Sequence, residues 1–116
     1  MVDSQGEEQR MARAMQEIEK LVQENAVVVF SQSGCCMCHV VKRLFCSLGV
    51  GPTVHELDER KEGGDMEKAL LRLNNKVALP TVFVGGKLVG GVDAVMAAHV
   101  SGNLVPRLKE AGALWL

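Results

Sequence analysis

From Glu7 to about Glu24 the apolar residues Met11, Met15, Ile18, Leu21 and Val22 recur at helical spacing between charged positions, as in an amphipathic helix with one buried stripe. The period then changes. Ala26 to Phe30, AVVVF, is a continuous β-branched run, which suits a strand covered on both faces. The polar loop SQSG ends it. Val40, Val41, Leu44, Phe45 and Leu48 restore helical period until Gly49 and Gly51-Pro52 stop it, and Thr53 to Leu57, TVHEL, alternates as a second strand.

The charged, glycine-containing segment DERKEGGD reads as a solvated loop, after which Asp65 is expected to cap a helix MEKALLRLNN with Leu70, Leu71 and Leu73 turned inward. Beyond Pro80, TVFV and KLVG flank Gly85-Gly86. Glycine accepts the positive φ angles of a primed turn, so these residues predict a tight hairpin. Asp93 is expected to cap a helix AVMAAHVS that Gly102 stops, and Asn103 to cap LVPRLKEA, where Pro106 lies in the first turn. The order α, β, α, β, α, β, β, α, α makes the first two strands parallel across their helix, and the hairpin adds an antiparallel pair. The expected fold class is α/β: a four-stranded mixed sheet flanked by helices.

At 116 residues the chain is expected to form one domain, residues 1–116, around a single core. A net charge of -1 with 47% hydrophobic residues disfavours direct nucleic-acid binding. The N-terminus, MVDSQGEEQRMARAMQEIEK, lacks the apolar stretch of a signal peptide, and no run approaches membrane-spanning length. Cytoplasm and nucleus are the expected locations, without membrane association. All four cysteines, Cys35, Cys36, Cys38 and Cys46, fall within twelve residues, unlike the dispersed bridges of a secreted scaffold. In a reducing compartment such a cluster reads as catalytic or metal-binding.

Cys35 sits where a strand hands over to a helix, beside unpaired N–H groups and the positive end of the helix dipole, a location that favours a thiolate. Cys38, three residues on, shares that face and can reach back to resolve a mixed disulfide. Cys36 is rotated away; Cys36 and Cys46 both read as small buried hydrophobes. CMCH also matches the haem-attachment pattern, with His39 as axial ligand, but that chemistry belongs to exported chains. A zinc site would need further ligands from Cys46, His55 and His99, none of them paired, so no metal is expected.

CCMC at the helix start, LPTVFVGGKLVGGVD, and ALWL at the end together resemble the CC-type glutaredoxins of land plants, over nearly the whole chain from about Met11. The resemblance implies a thioredoxin-like fold and glutathione as co-substrate. For this subgroup it also implies association with TGA-class bZIP transcription factors and Topless-type corepressors. By the same resemblance, Cys35 is the nucleophile, Cys38 the resolving thiol, and Pro80 a cis proline that presents the backbone of Leu79 to glutathione. Gly91, Val92 and Asp93 within GGVD would hold the γ-glutamyl end, through helix amides and a carboxylate. A glutathione-ligated iron–sulfur cluster on Cys35 is the less favoured cofactor. Ala113, Leu114, Trp115 and Leu116 would form a hydrophobic peptide for a partner's groove, with Trp115 as anchor.

The chain also departs from the family. Where its enzymes usually carry a lysine, a glutamine and an arginine toward glutathione, this sequence has Gln32, Glu67 and Val77. Two cations are lost and an anion is added, which should weaken glutathione binding by about 1 to 3 kcal/mol unless Lys76 substitutes. The expectation is a slow glutathione-dependent oxidoreductase of protein or glutathione mixed disulfides, with a nuclear adaptor as the alternative.

Overall fold

The computed structural model describes residues 3–74 and 79–112. Lys76, Val77 and the tail Ala113 to Leu116 lie outside the described residues. Helix α1 (Asp3–Glu24) leads into β1 (Val27–Ser31), α2 (Cys36–Ser47) and β2 (Thr53–Glu56). A short 3-10 turn, Leu57–Glu59, precedes α3 (Gly63–Asn74), and β3 (Thr81–Val84), β4 (Lys87–Gly90), α4 (Val92–Val100) and α5 (Leu104–Glu110) follow. The sheet order is β2-β1-β3-β4. β1 runs parallel to β2 and antiparallel to β3, and β3 pairs antiparallel with β4. This is the mixed sheet that the sequence order predicts.

Strand β1 is central and buried along its whole length, which is why it can be apolar at successive positions. Alternation sends Val28 and Phe30 into one layer with Met11, Ala14, Ile18, Leu21, Met66 and Leu70 of α1 and α3. Val27 and Val29 go to the other layer, with Val41 and Phe45 of α2, Val95 of α4 and Leu104 and Leu108 of α5. Phe30 and Phe83 meet edge to face at 5.9 Å. Gly85 and Gly86 have φ of 60° and 81°, the two positive angles that the hairpin turn requires.

Several local expectations fail. Helix α1 begins at Asp3 rather than Glu7, because its stripe needs no apolar residue in the first turn. Helix α3 begins at Gly63, so Asp65 lies inside its first turn and is not the cap. The reason is tertiary: a Cβ on Gly63 would stand 1.7 Å from the Leu57 carbonyl oxygen, so only glycine lets the helix start pack on the turn after β2. With that start, Met66, Ala69 and Leu70 form the buried stripe, whereas Leu71 and Leu73 are exposed. Helix α4 is capped at Gly91, with Asp93 in the first turn, and Asn103 occupies the N-cap of α5 without a side-chain capping bond.

His55 in β2 stacks on Phe30 at 5.6 Å, and its Nε2 is buried without a hydrogen-bond partner among the described residues. Burial, and secondarily the Arg60 charge, push its pKa below the usual histidine value, against the opposing influence of Glu24 and Glu17. The fold therefore holds a neutral imidazole. That stability is present above the unfolded histidine pKa of about 6.5 and is lost as pH falls below it. Thermal melts between pH 7.5 and 5.5 should show the melting temperature dropping by a few degrees, with a shallower drop in His55→Phe, whose ring keeps the stack. Equal slopes for the two proteins would remove His55 from that pH dependence.

Candidate active site

The topology gathers the predicted site at one end of the sheet. Parallel strands β1 and β2 both finish there, with Ser31 opposite Glu56. Antiparallel β3 starts there, Thr81 lying opposite Phe30, and β4 ends there with Gly90 beside Val82. The loop after β1, the Leu79-Pro80 segment before β3 and the start of α4 therefore share one edge. Gln32, Cys35, Leu79, Pro80, Gly91, Val92 and Asp93 all fall on it. The Leu79-Pro80 bond is cis, as the family resemblance implies.

Cys35 is the N-cap of α2, in extended conformation with φ -87° and ψ 119°. Its backbone N–H donates to the Gln32 carbonyl at 3.0 Å, closing the loop, and the Gln32 side chain is left exposed. The Cys38 backbone N–H donates to Cys35 Sγ at 3.3 Å. Sulfur thus takes the capping role that an oxygen usually fills. Partial burial pushes the Cys35 thiol up, but hydrogen bonds from Cys38 and from the Met37 backbone, with the charge of Lys42, outweigh it. Its pKa lies below the ordinary thiol value. Cys38 is the opposite case. It is fully buried, and burial, reinforced by the neighbouring Cys35, pushes its thiol up to about 11.

Cys36 and Cys46 are free and exposed, contrary to their expected burial. The inward face of α2 belongs to Cys38, Val41 and Phe45, so Cys36, two positions before Cys38, and Cys46, one position after Phe45, are rotated off it. His39 and His99 are exposed too. Among the described residues, no three His, Cys, Asp or Glu side chains converge as a metal would require.

Two features escape the sequence reading. Lys42, two helical turns beyond Cys35, supplies a cation near both active-site sulfurs although position 32 holds no lysine. The i to i+7 spacing from Cys35 was the available signal. Second, the loop is tethered to the turn after β2: the Ser33 N–H and Oγ donate to Asp58 at 3.1 and 2.5 Å, and Oγ also lies 3.2 Å from Glu59 Oε2. Those bonds hold the Asp58 carboxyl below its usual range. They also put two exposed carboxylates beside the cysteine loop. No local pattern announces a contact across 25 residues.

The arrangement suits thiolate chemistry at Cys35 with a protonated thiol behind it. The glutaredoxin family profile matches residues 27–89. Glutaredoxin-C5 of Oryza sativa subsp. japonica is 61% identical over 108 residues, covering 89% of this chain and 80% of the rice protein. The chain belongs to the glutaredoxin family, in its plant CC-type branch. This glutaredoxin is also similar to glutaredoxin-C7 of Arabidopsis thaliana, 58% identical over 105 residues, which cover 85% of this chain and 77% of that one. Among solved structures, a buckwheat glutaredoxin–glutathione complex aligns with a TM-score of 0.89 at 42% identity, over 93% of this chain and 98% of the buckwheat one. The fold is thus the thioredoxin-like fold of glutaredoxins, and the family places the chain among the thiol–disulfide oxidoreductases.

Proposed function

We propose that this glutaredoxin reduces glutathione mixed disulfides with Cys35 as nucleophile and glutathione, rather than Cys38, as the main resolving thiol. The observation that carries the reading is the contrast between the two sulfurs: Cys35 caps a helix with its thiol lowered, whereas Cys38 is buried and pushed up to about 11. In the first step the Cys35 thiolate attacks the glutathionyl sulfur, the mixed disulfide breaks, and the substrate leaves as a thiolate that takes a proton from water. In the second, a glutathione thiolate attacks the Cys35-bound glutathionyl sulfur, releasing glutathione disulfide and regenerating Cys35. Cys38 competes poorly because burial holds its thiol protonated at neutral pH. Burial, the largest cause, persists when Cys35 is capped.

Leu79 and Pro80 would pair with the glutathione backbone, and the amides of Val92 and Asp93, opened by Gly91, would receive its γ-glutamyl carboxylate. Turnover is slow because Gln32 and Glu67 stand where charge and polarity would help the other carboxylate, and Asp58 and Glu59 add anions nearby. Peptide mapping after treatment with glutathione disulfide tests the assignment. The adduct is expected on Cys35; modification led by exposed Cys36 or Cys46 would overturn it.

A second reading rests on the ALWL tail together with the missing cations: a cytoplasmic and nuclear protein that binds TGA-class bZIP factors and a Topless-type corepressor. Deleting residues 113–116 should then abolish corepressor capture by the purified protein and leave glutathione-dependent activity intact. Unchanged capture would end this reading.

A further inference from the structure

The Lys42–Glu56 ion pair does not look like a device for stability. Lys42 Nζ lies 2.7 Å from Glu56 Oε1, and each side chain is only about a fifth exposed, at 22% and 23%. The other carboxylate oxygen, Oε2, is buried without a hydrogen-bond partner among the described residues, and so is the Oγ of Ser31, which stands opposite Glu56 in the β1–β2 register. A dehydrated ion pair with an unsatisfied oxygen contributes little to folding, because desolvation offsets the attraction. Its position is more telling than its strength. Ser31 ends β1, and the next residue begins the Cys35 loop. Glu56 therefore draws the Lys42 ammonium to the root of that loop, while the helix places the lysine on the side of Cys35 and Cys38.

We propose that Lys42 is a positioning residue for the nucleophile, its charge favouring the Cys35 thiolate, and that Glu56 both anchors this charge and tempers it. The inference rests on Cys35 being the reactive thiol. Partial dehydration of the pair keeps its field less screened than that of a surface charge. Among the described residues, the other charged or titratable groups around the loop are Cys38 and His39 on α2, and Asp58 and Glu59 in the turn that holds Ser33, with Asp93 at the start of α4. None of them balances Lys42 by direct contact; Glu56 does.

A merely structural pair and an electrostatic one differ in sign. Breaking a structural contact from either side loosens the same loop and moves reactivity the same way. Removing the cation or the anion of an electrostatic pair moves it in opposite directions. The experiment measures iodoacetamide alkylation of Cys35 against pH, in a Cys36→Ser, Cys46→Ser background that leaves Cys35 as the accessible thiol. At pH 6.5, Lys42→Met is expected to slow alkylation about three-fold and Glu56→Gln to speed it about two-fold, with Lys42→Arg close to the parent. The titration midpoint should rise in the first and fall in the second. Shifts in the same direction, or none in either variant, would overturn the role of the pair. Should the parent itself titrate like a free thiol, it is the Cys35 assignment that falls instead.

Discussion

Replacing Cys35 by serine is expected to lower kcat/KM for a glutathione mixed disulfide by at least about a thousand-fold, whereas Cys38→Ser should keep activity within about three-fold of the parent. The asymmetry follows from the two sulfur environments. Cys35 accepts the Cys38 N–H at 3.3 Å at the opening of α2, where an anion is stabilised, so a thiolate is favoured there over an ordinary cysteine. A serine hydroxyl at the same N-cap would accept that hydrogen bond and preserve the helix, but it ionises far too weakly to attack sulfur. Cys38 is buried and held protonated by its surroundings, so its loss removes a packing group and a minor resolving route. A coupled assay that follows glutathione disulfide formation measures both variants. Parental turnover by Cys35→Ser would end the enzymatic reading, and a collapse of Cys38→Ser comparable to that of Cys35→Ser would show that Cys38 resolves the intermediate after all. The pH profile carries the same information. Since the Cys35 thiol is lowered, the acid limb of the activity profile should lie below that of an ordinary thiol, and activity should fall as that sulfur takes up a proton.

Converting Gln32 to lysine and Glu67 to glutamine together is expected to lower KM for the glutathione moiety about ten-fold, an effect at the low end of the range for charge-assisted hydrogen bonds. Glutathione carries two carboxylates and one ammonium. In the proposed binding mode its γ-glutamyl carboxylate would face helix amides at the start of α4, but the other would meet neutral Gln32, with Asp58 and Glu59 tied to the same loop through Ser33. The Gln32 carbonyl already closes the turn onto the Cys35 N–H, so the backbone at this position is held independently of the exposed side chain. A lysine can therefore be introduced without rebuilding the loop. Its charge would act on the ligand and also add to that of Lys42 near the sulfur, so kcat/KM should rise more than KM alone accounts for. Steady-state kinetics at two ionic strengths checks the cause, because a gain from charge must shrink as salt is added. An unchanged KM would show that these positions do not limit glutathione use.

The chemistry of the site was more legible than its electrostatics. A cysteine at a strand-to-helix junction is a local feature, and Cys35 caps α2 as its place after AVVVF and SQSG suggests. Cys36 and Cys46 misled because burial on a helix depends on which face meets the sheet. Val41 and Phe45 decide that face, and the exposed cysteines lie off it. The carboxylate expected to cap α4 lies inside the helix, because Gly91 already supplies the extended N-cap conformation.

What the sequence determined by itself is whatever depends on neighbours along the chain. The apolar period made α1 a one-sided helix, the uninterrupted valines made β1 a central strand, and paired glycines made the β3–β4 turn. What only the tertiary structure decided depends on residues far apart in the chain meeting at the end of the sheet. Helix α3 starts where Gly63 can lie against the Leu57 carbonyl, Ser33 is bound by carboxylates 25 and 26 residues away, and Lys42 is held by Glu56 across 14. Periodicity encodes which face of an element is apolar. It carries no record of which charges the packed elements bring together, and here those charges surround the reactive sulfur.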